Sequence, residues 1–203
     1  MMSVEPRNPS SAPSASSARR GPLARPVSTS ASAPTSPPIA RVFQLNISPG
    51  GVPKRPPTSP TGSLAVTSNG LDGDGVAHGR VHGGPDRALC LYSLEHIRAL
   101  QDEGCAIWPG ALGENITTAA LDWDDLRPGV QLSVGHGPGA VAIEIVSYTV
   151  PCASVAPYLQ DEPTRIHQDR HPGWSRVYAR VLQAGSVRPG DPIRITARAK
   201  PAA

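Results

Sequence analysis

The chain has 203 residues, among them 24 Pro and 20 Gly, with a formal net charge of +3 and only 4% aromatic residues. That much Pro and Gly exceeds what one tightly packed globule carries, so one ordinary domain plus an unpacked segment is expected. The small charge and scarce stacking aromatics argue against nucleic acid as a partner, and no apolar run approaches the roughly 20 residues of a membrane span.

Residues 1–39 are mostly Ser, Ala, Pro and Arg, with Glu5 the only acid. Such a segment cannot bury enough apolar surface to offset its ordering entropy, which predicts a disordered low-complexity tail. An organelle transit peptide is the other reading of an acid-poor leader. Pro13, Pro22, Pro26, Pro34, Pro37 and Pro38 oppose the amphipathic helix it needs. There is no hydrophobic stretch of a secretion signal. The three cysteines, Cys90, Cys105 and Cys152, cannot all pair and show no CxxC spacing, which speaks against a disulfide framework or zinc ribbon and for a reducing, cytoplasmic setting.

From Arg41 the pattern changes. Phe43, Leu45 and Ile47 alternate with Val42, Gln44 and Asn46, the period of a half-buried strand, which ends in the turn Ser48-Pro49-Gly50-Gly51 and leads to Lys54. Ser63 to Thr67 predicts a short strand and Leu89 to Tyr92 another. Ser93 is a suitable N-cap for a helix through Glu103 that aligns Leu94, Ile97 and Leu100, and Gly104 stops it. The Gly-punctuated segment 108–117 holds Glu114, Asn115 and Thr117, either for a capped turn or for a ligand. Leu126-Arg127-Pro128-Gly129 and Val187-Arg188-Pro189-Gly190 echo each other as type II turns ahead of alternating strands, and read as two matching hairpin entries. Val141 to Ser147 is the strongest strand, and Trp174 to Leu182 a later one. One convincing helix among six or more strands predicts a mainly β domain over residues 40–198, most simply a β-barrel with one or two short helices.

Between these elements runs Gly73-Asp74-Gly75-Val76-Ala77-His78-Gly79-Arg80-Val81-His82-Gly83-Gly84-Pro85-Asp86-Arg87, in which five of fifteen residues are Gly. Its backbone freedom and its cations suit an anion-binding turn, a phosphate above all; the plain alternative is a solvated surface loop. Lys54, from a separate loop, can join Arg80, His82 and Arg87 as donors beside the backbone of Gly83 and Gly84. Asp74 and Asp86 suit turn-locking hydrogen bonds. The pair His78 and His82 has zinc-like spacing only on a helix, which Gly79 and Gly83 disfavour. No serine stands in a nucleophile elbow.

Five blocks taken in order resemble the MOSC domain, the family named after the C-terminal domain of molybdenum cofactor sulfurase: His82-Gly83-Gly84-Pro85-Asp86-Arg87-Ala88; Tyr92-Ser93-Leu94-Glu95-His96; Gly113-Glu114-Asn115; Pro151-Cys152; and Gly173-Trp174-Ser175-Arg176-Val177-Tyr178 followed by Val181-Leu182. The likeness spans roughly residues 41 to 196 and is strongest to small single-domain bacterial members. It departs at Val76-Ala77-His78-Gly79-Arg80-Val81, where many relatives have further acidic or polar residues.

The resemblance implies a β-barrel whose groove holds the molybdenum cofactor, with Cys152 at the metal and as the catalytic residue. It also implies reduction of N-hydroxylated small molecules, such as hydroxylamino bases or amidoximes, by electrons from a separate protein. Lys54, Arg80, His82, Gly83, Gly84, Arg87, Glu114 and Asn115 would hold the cofactor, and pyridoxal phosphate is not expected. A non-catalytic cofactor or sulfur carrier using Cys152 and a plain β-barrel interaction module are the alternatives. A thiolate suits both metal ligation and sulfur transfer, whereas Cys90 and Cys105 read as small buried hydrophobes. The chain has no four-cysteine set and no GxGxxG after a strand, so it carries no redox relay of its own.

Overall fold

The computed structural model describes residues 38–59, 61–75 and 83–199. The expected disorder of the tail falls outside these residues up to position 37, as do His78, Arg80 and His82. Among the described residues the chain runs β1 (Arg41–Leu45), β2 (Leu64–Thr67), β3 (Gly70–Leu71), β4 (Leu89–Ser93), α1 (Leu94–Asp102), β5 (Ile116–Ala119), β6 (Gln131–Val134), β7 (Val141–Tyr148), β8 (Val177–Gln183), β9 (Gly185–Val187) and β10 (Ile193–Ala197).

Seven strands form one sheet in the order β1-β5-β4-β8-β7-β6-β10, and β3-β2-β9 form a small second sheet. The large sheet curls until its ends meet: Arg41 bridges Pro192. The Ile193 N–H donates to the Ala40 carbonyl at 2.7 Å, and the Val42 N–H to the Asp191 carbonyl at 2.8 Å. The result is the expected mainly β, barrel-like domain. One face of the sheet carries Leu91, Leu132, Ile143, Ile145 and Val177 into the interior, all essentially buried, and Tyr92 is buried on the other face. Among the described residues no helix is long and apolar enough to cross a membrane.

Helix α1 starts as its sequence dictates. The Ser93 hydroxyl accepts from the backbone N–H of Glu95 at 3.1 Å and of His96 at 3.2 Å, a cap worth about 1 kcal/mol. Leu94, His96, Ile97 and Leu100 form its buried face. It stops one turn short of Cys105, whose N–H donates to the Leu100 carbonyl.

Three strands differ from their sequence pattern, each for a physical reason. In β1 a bulge between Val42 and Gln44 shifts the register against β5, so Val42 and Leu45 both turn inward and Phe43 stays 39% exposed. Strand β5 has no alternation to read because all four of its residues are buried. It lies between β1 and β4 and pairs with β4 in parallel through α1, the arrangement in which both faces of a strand are covered. Strand β8 begins at Val177 and not at Trp174, because the Ser175 hydroxyl is turned back onto the carbonyls of Thr149 and Arg176.

The repeated Pro-Gly turns each lead into a strand, and the first enters the antiparallel β6–β7 pair. Val130 N–H bonds to the Arg127 carbonyl and Asp191 N–H to the Arg188 carbonyl, with Gly129 and Gly190 at φ 90 and 92, as a type II turn requires at its third position. They deliver the chain into β6 and β10, and these two strands pair with each other, Val134 opposite Ile193 and Leu132 opposite Ile195.

Candidate functional site

The loops at one side of the β4–β8 pair enclose a cleft of about 170 Å³, well above the roughly 10–15 Å³ that a single water needs. Its lining includes the register pair Cys90 and Tyr178. Lys54 arrives from the loop after β1, Gly83, Gly84 and Arg87 from the segment before β4, Asn115 from the turn before β5, Cys152 from the loop after β7, and Arg176 from the approach to β8. Six of the residues expected at a site, Lys54, Gly83, Gly84, Arg87, Asn115 and Cys152, therefore line one cavity. Arg80 and His82 lie outside the described residues. Glu114 sits under the wall and not on it, at 1% exposure.

Polar contacts hold the wall. Asp74 is its hub: one carboxylate oxygen accepts from the Ser48 N–H at 2.9 Å, the other from Lys54 Nζ at 2.5 Å and from the Asn115 amide at 2.7 Å. The Asn115 side-chain oxygen in turn accepts from the Cys90 N–H at 3.0 Å. One carboxylate thus ties the β1 loop, the Lys54 loop, the start of β5 and strand β4 together, the locking role its turn position suggested. Asp86 acts differently, through its carboxylate and the Arg180 guanidinium at 3.5 Å on β8. The Arg87 guanidinium lies over the Tyr178 ring, 5.6 Å from its centroid, a cation–π contact between two residues of the cleft lining.

Sequence reasoning passed over Arg176, although it stands inside the Gly173-Trp174-Ser175-Arg176-Val177-Tyr178 block. It lines the cleft at 6% exposure. It donates through one terminal nitrogen to the Leu112 carbonyl, and its Nε is buried without a hydrogen-bond partner. Among the described residues no carboxylate forms an ion pair with it. An uncompensated buried charge is costly, so a nearly buried guanidinium with no ion-pair partner among the described residues gains from any anion that enters the cleft.

The two cysteines on the wall differ. Cys90 is buried, and burial pushes its thiol up to about 11, so it remains a neutral thiol. Cys152 is half-buried and heads the 3-10 turn Ala153–Leu159, reachable from the cleft. Tyr178, between them, has its phenol pushed up to about 12, chiefly by burial.

A family model for the MOSC domain matches residues 78–194, more than half of the chain. The chain belongs to the MOSC domain family. It is 29% identical to the protein YiiM of Escherichia coli over 143 residues, covering 68% of this chain and 61% of that one. It is 27% identical to the uncharacterised protein YflK of Bacillus subtilis over 151 residues, covering 73% and 64%. The chain thus spans less than two thirds of the length of these relatives. The crystal structure of YiiM from Geobacillus stearothermophilus superposes with a TM-score of 0.59 at 26% identity, covering 78% of this chain and 75% of that one. YuaD of Bacillus subtilis, at 18% identity and a TM-score of 0.58, shares the fold. The matched MOSC range begins after Lys54 and Asp74, so the N-terminal wall of the cleft lies outside it.

The residues of this MOSC cleft fit a phosphate-bearing metal cofactor. Three cations, Lys54, Arg87 and Arg176, face one carboxylate, Asp74, leaving a net positive lining among these groups. An added Cβ on Gly84 would meet nothing within 4 Å among the described residues, so its backbone is open to a close ligand. Among the described residues no three His, Cys, Asp or Glu side chains gather as a metal site. A metal held here must bring most of its ligands with it, and Cys152 offers one soft donor.

Proposed function

We propose that the cleft binds the molybdenum cofactor and that the protein reduces small N-hydroxylated compounds with electrons from a separate electron-transfer partner. The observation that carries this reading is the placement of Cys152 on the same wall as Lys54, Arg87 and Arg176. Arg176 and Arg87 offer planar donors to phosphate oxygens and Lys54 a point charge already steered by Asp74. The backbone of Gly83 and Gly84 completes that end of the cleft. Cys152 presents its sulfur to the metal, and Asn115, fixed by Asp74, orients the ring system or the substrate. Bound there, the cofactor supplies the two electrons that, with two protons, convert an N–OH group to N–H and water. The cleft's walls, Leu112, Val155 and Tyr178, exclude solvent from that site. Three cysteines with no disulfide among them suit a reducing compartment such as the cytoplasm.

Expression in a host that makes the cofactor, followed by molybdenum and pterin analysis of the parent, Cys152→Ser and Arg176→Met, tests the binding. Parent protein with about one molybdenum per chain and turnover of an amidoxime by a reduced dye supports the reading. Bound molybdenum without turnover leaves the carrier alternative, and protein free of both metal and pterin overturns the reading.

A further inference from the structure

Glu114 lies between the cleft-lining residues Gly113 and Asn115 without lining the cleft itself, and is buried. Its Oε1 accepts two hydrogen bonds, from the Gly110 N–H at 2.6 Å and the Thr117 hydroxyl at 3.2 Å. Its Oε2 is buried with no hydrogen-bond partner. A carboxylate divides its charge over both oxygens, and leaving one of them dry and unpaired is the least favourable arrangement it can have. A carboxylic acid loses less there: Oε1 is the carbonyl oxygen and accepts twice, and Oε2 leaves a neutral hydroxyl unpaired in place of half a dry negative charge.

The charged neighbour is Arg176, whose field reaches Glu114. No ion pair joins the two among the described residues, and the Arg176 terminal nitrogen is committed to the Leu112 carbonyl, two residues before Glu114. Among the described residues the buried Tyr92 phenol and Cys90 thiol also feel Glu114, and both are neutral near pH 7. Burial raises the carboxyl above the ordinary carboxylate range in the same direction as this geometry.

We infer that Glu114 is a positioning residue held as a neutral carboxylic acid, which braces the 110–114 turn while leaving the whole charge of Arg176 for an anion in the cleft. An ionised Glu114 would do the reverse, because its negative charge in a low-dielectric wall would cancel part of the field that Arg176 sends outward. The sequence therefore places a carboxyl where an apolar residue could not accept the Gly110 and Thr117 hydrogen bonds, at a depth that keeps it protonated. This inference rests on the reading of the cleft as an anion site, and on nothing about turnover.

Sulfate, whose charge does not change near neutrality, is the probe. Calorimetry on the full chain at neutral pH should give the parent and Glu114→Gln the same sulfate affinity within about twofold, since Gln copies the neutral acid. Arg176→Met should lose about tenfold or more. The infrared spectrum of the parent should contain the carbonyl band of a protonated carboxylic acid that Glu114→Gln lacks, a signature that a merely structural role does not produce. If Glu114→Gln binds sulfate about tenfold more tightly, or the band is absent from the parent, Glu114 is ionised and the inference is overturned. If Arg176→Met binds as well as the parent, Arg176 is not the anchor and the inference fails on that side. If the parent binds no sulfate, the anion-site reading of the cleft falls, and this inference with it. Should Glu114→Gln fail to fold, the parent's carboxylic acid band and the Arg176→Met affinity still decide.

Discussion

The ammonium of Lys54 lies 2.5 Å from Oδ2 of Asp74, with the two side chains only 11% and 9% exposed. Lys54 is therefore half of a buried ion pair as well as a cation on the cleft wall, so removing it does more than weaken a ligand. Lys54→Met strands the Asp74 carboxylate in the wall and should lower stability by about 3 kcal/mol, read from urea unfolding. Lys54→Met combined with Asp74→Leu should cost less than the two single changes summed. Strict additivity would show that the pair contributes nothing as a pair.

Thiol labelling separates the three cysteines. In the folded protein Cys152 should react with a soluble thiol reagent, while Cys90 and Cys105, both 5% exposed, should react only after denaturation. Because the Cys90 thiol is raised to about 11, its protection should persist throughout the neutral range. Cys152→Ser should leave the melting temperature nearly unchanged, whereas Cys90→Ser should cost about 1–3 kcal/mol for a polar group placed in the core. Equal labelling of Cys90 and Cys152 in the native state would contradict this order.

The raised Glu114 carboxyl also sets a slope of stability with pH. Its folded-state value lies above the ordinary 4.5, so the folded protein keeps a proton that the unfolded chain releases once the pH passes that point. The resulting stabilisation is complete below about pH 4.5 and is lost as pH rises towards the folded value. Glu114→Gln lacks the slope and should gain on the parent steadily as pH rises through this window, measured as the difference in melting temperature. A difference that grows towards acid would mean that the carboxyl is ionised when folded.

A chain starting at Pro38 should melt like the full chain, since the sequence before it offers no apolar periodicity. Starting instead at Val42 removes the Ala40 carbonyl that accepts from Ile193 and the Arg41 bridge to Pro192. That deletion should cost about 1–3 kcal/mol and expose the Ile193 amide to hydrogen exchange. Unchanged protection of Ile193 would show that the barrel closes without this contact.

Much of the fold was legible because it rests on local rules. Ser93 capped the helix it was expected to cap, and Val141 to Ser147 formed the longest strand, because alternation and capping act within a few residues. Strand β5 was not legible, since Ile116, Thr117, Thr118 and Ala119 are buried on both faces and leave no period to count. The inward turn of Val42 depends on a bulge that only its partner strand reveals. At the cleft, Lys54, Arg87, Asn115 and Cys152 could be gathered by donor chemistry and by likeness to a family. Arg176 lay within a quoted motif, but nothing local distinguishes a guanidinium without a counter-ion from one with a salt bridge. Glu114 carried the right chemistry at the wrong depth, a property set by the turn from Gly110 to Asn115 and by no residue alone.

The bridge between Arg41 and Pro192 imposes an order of events on synthesis. The N-terminal wall of the cleft, with Lys54 and Asp74, leaves the ribosome more than a hundred residues before Arg176 and Tyr178. Strand β1 cannot reach its last neighbour until Pro192 has followed. No nascent fragment that ends before Arg176 contains all three cations together with Cys152, and sheet pairing at such sequence distance is slow. An anionic ligand can therefore meet all three cations only after Arg176 has been made, and a chain released before β10 offers an open sheet edge where the folded domain joins β1 to the residues around Pro192.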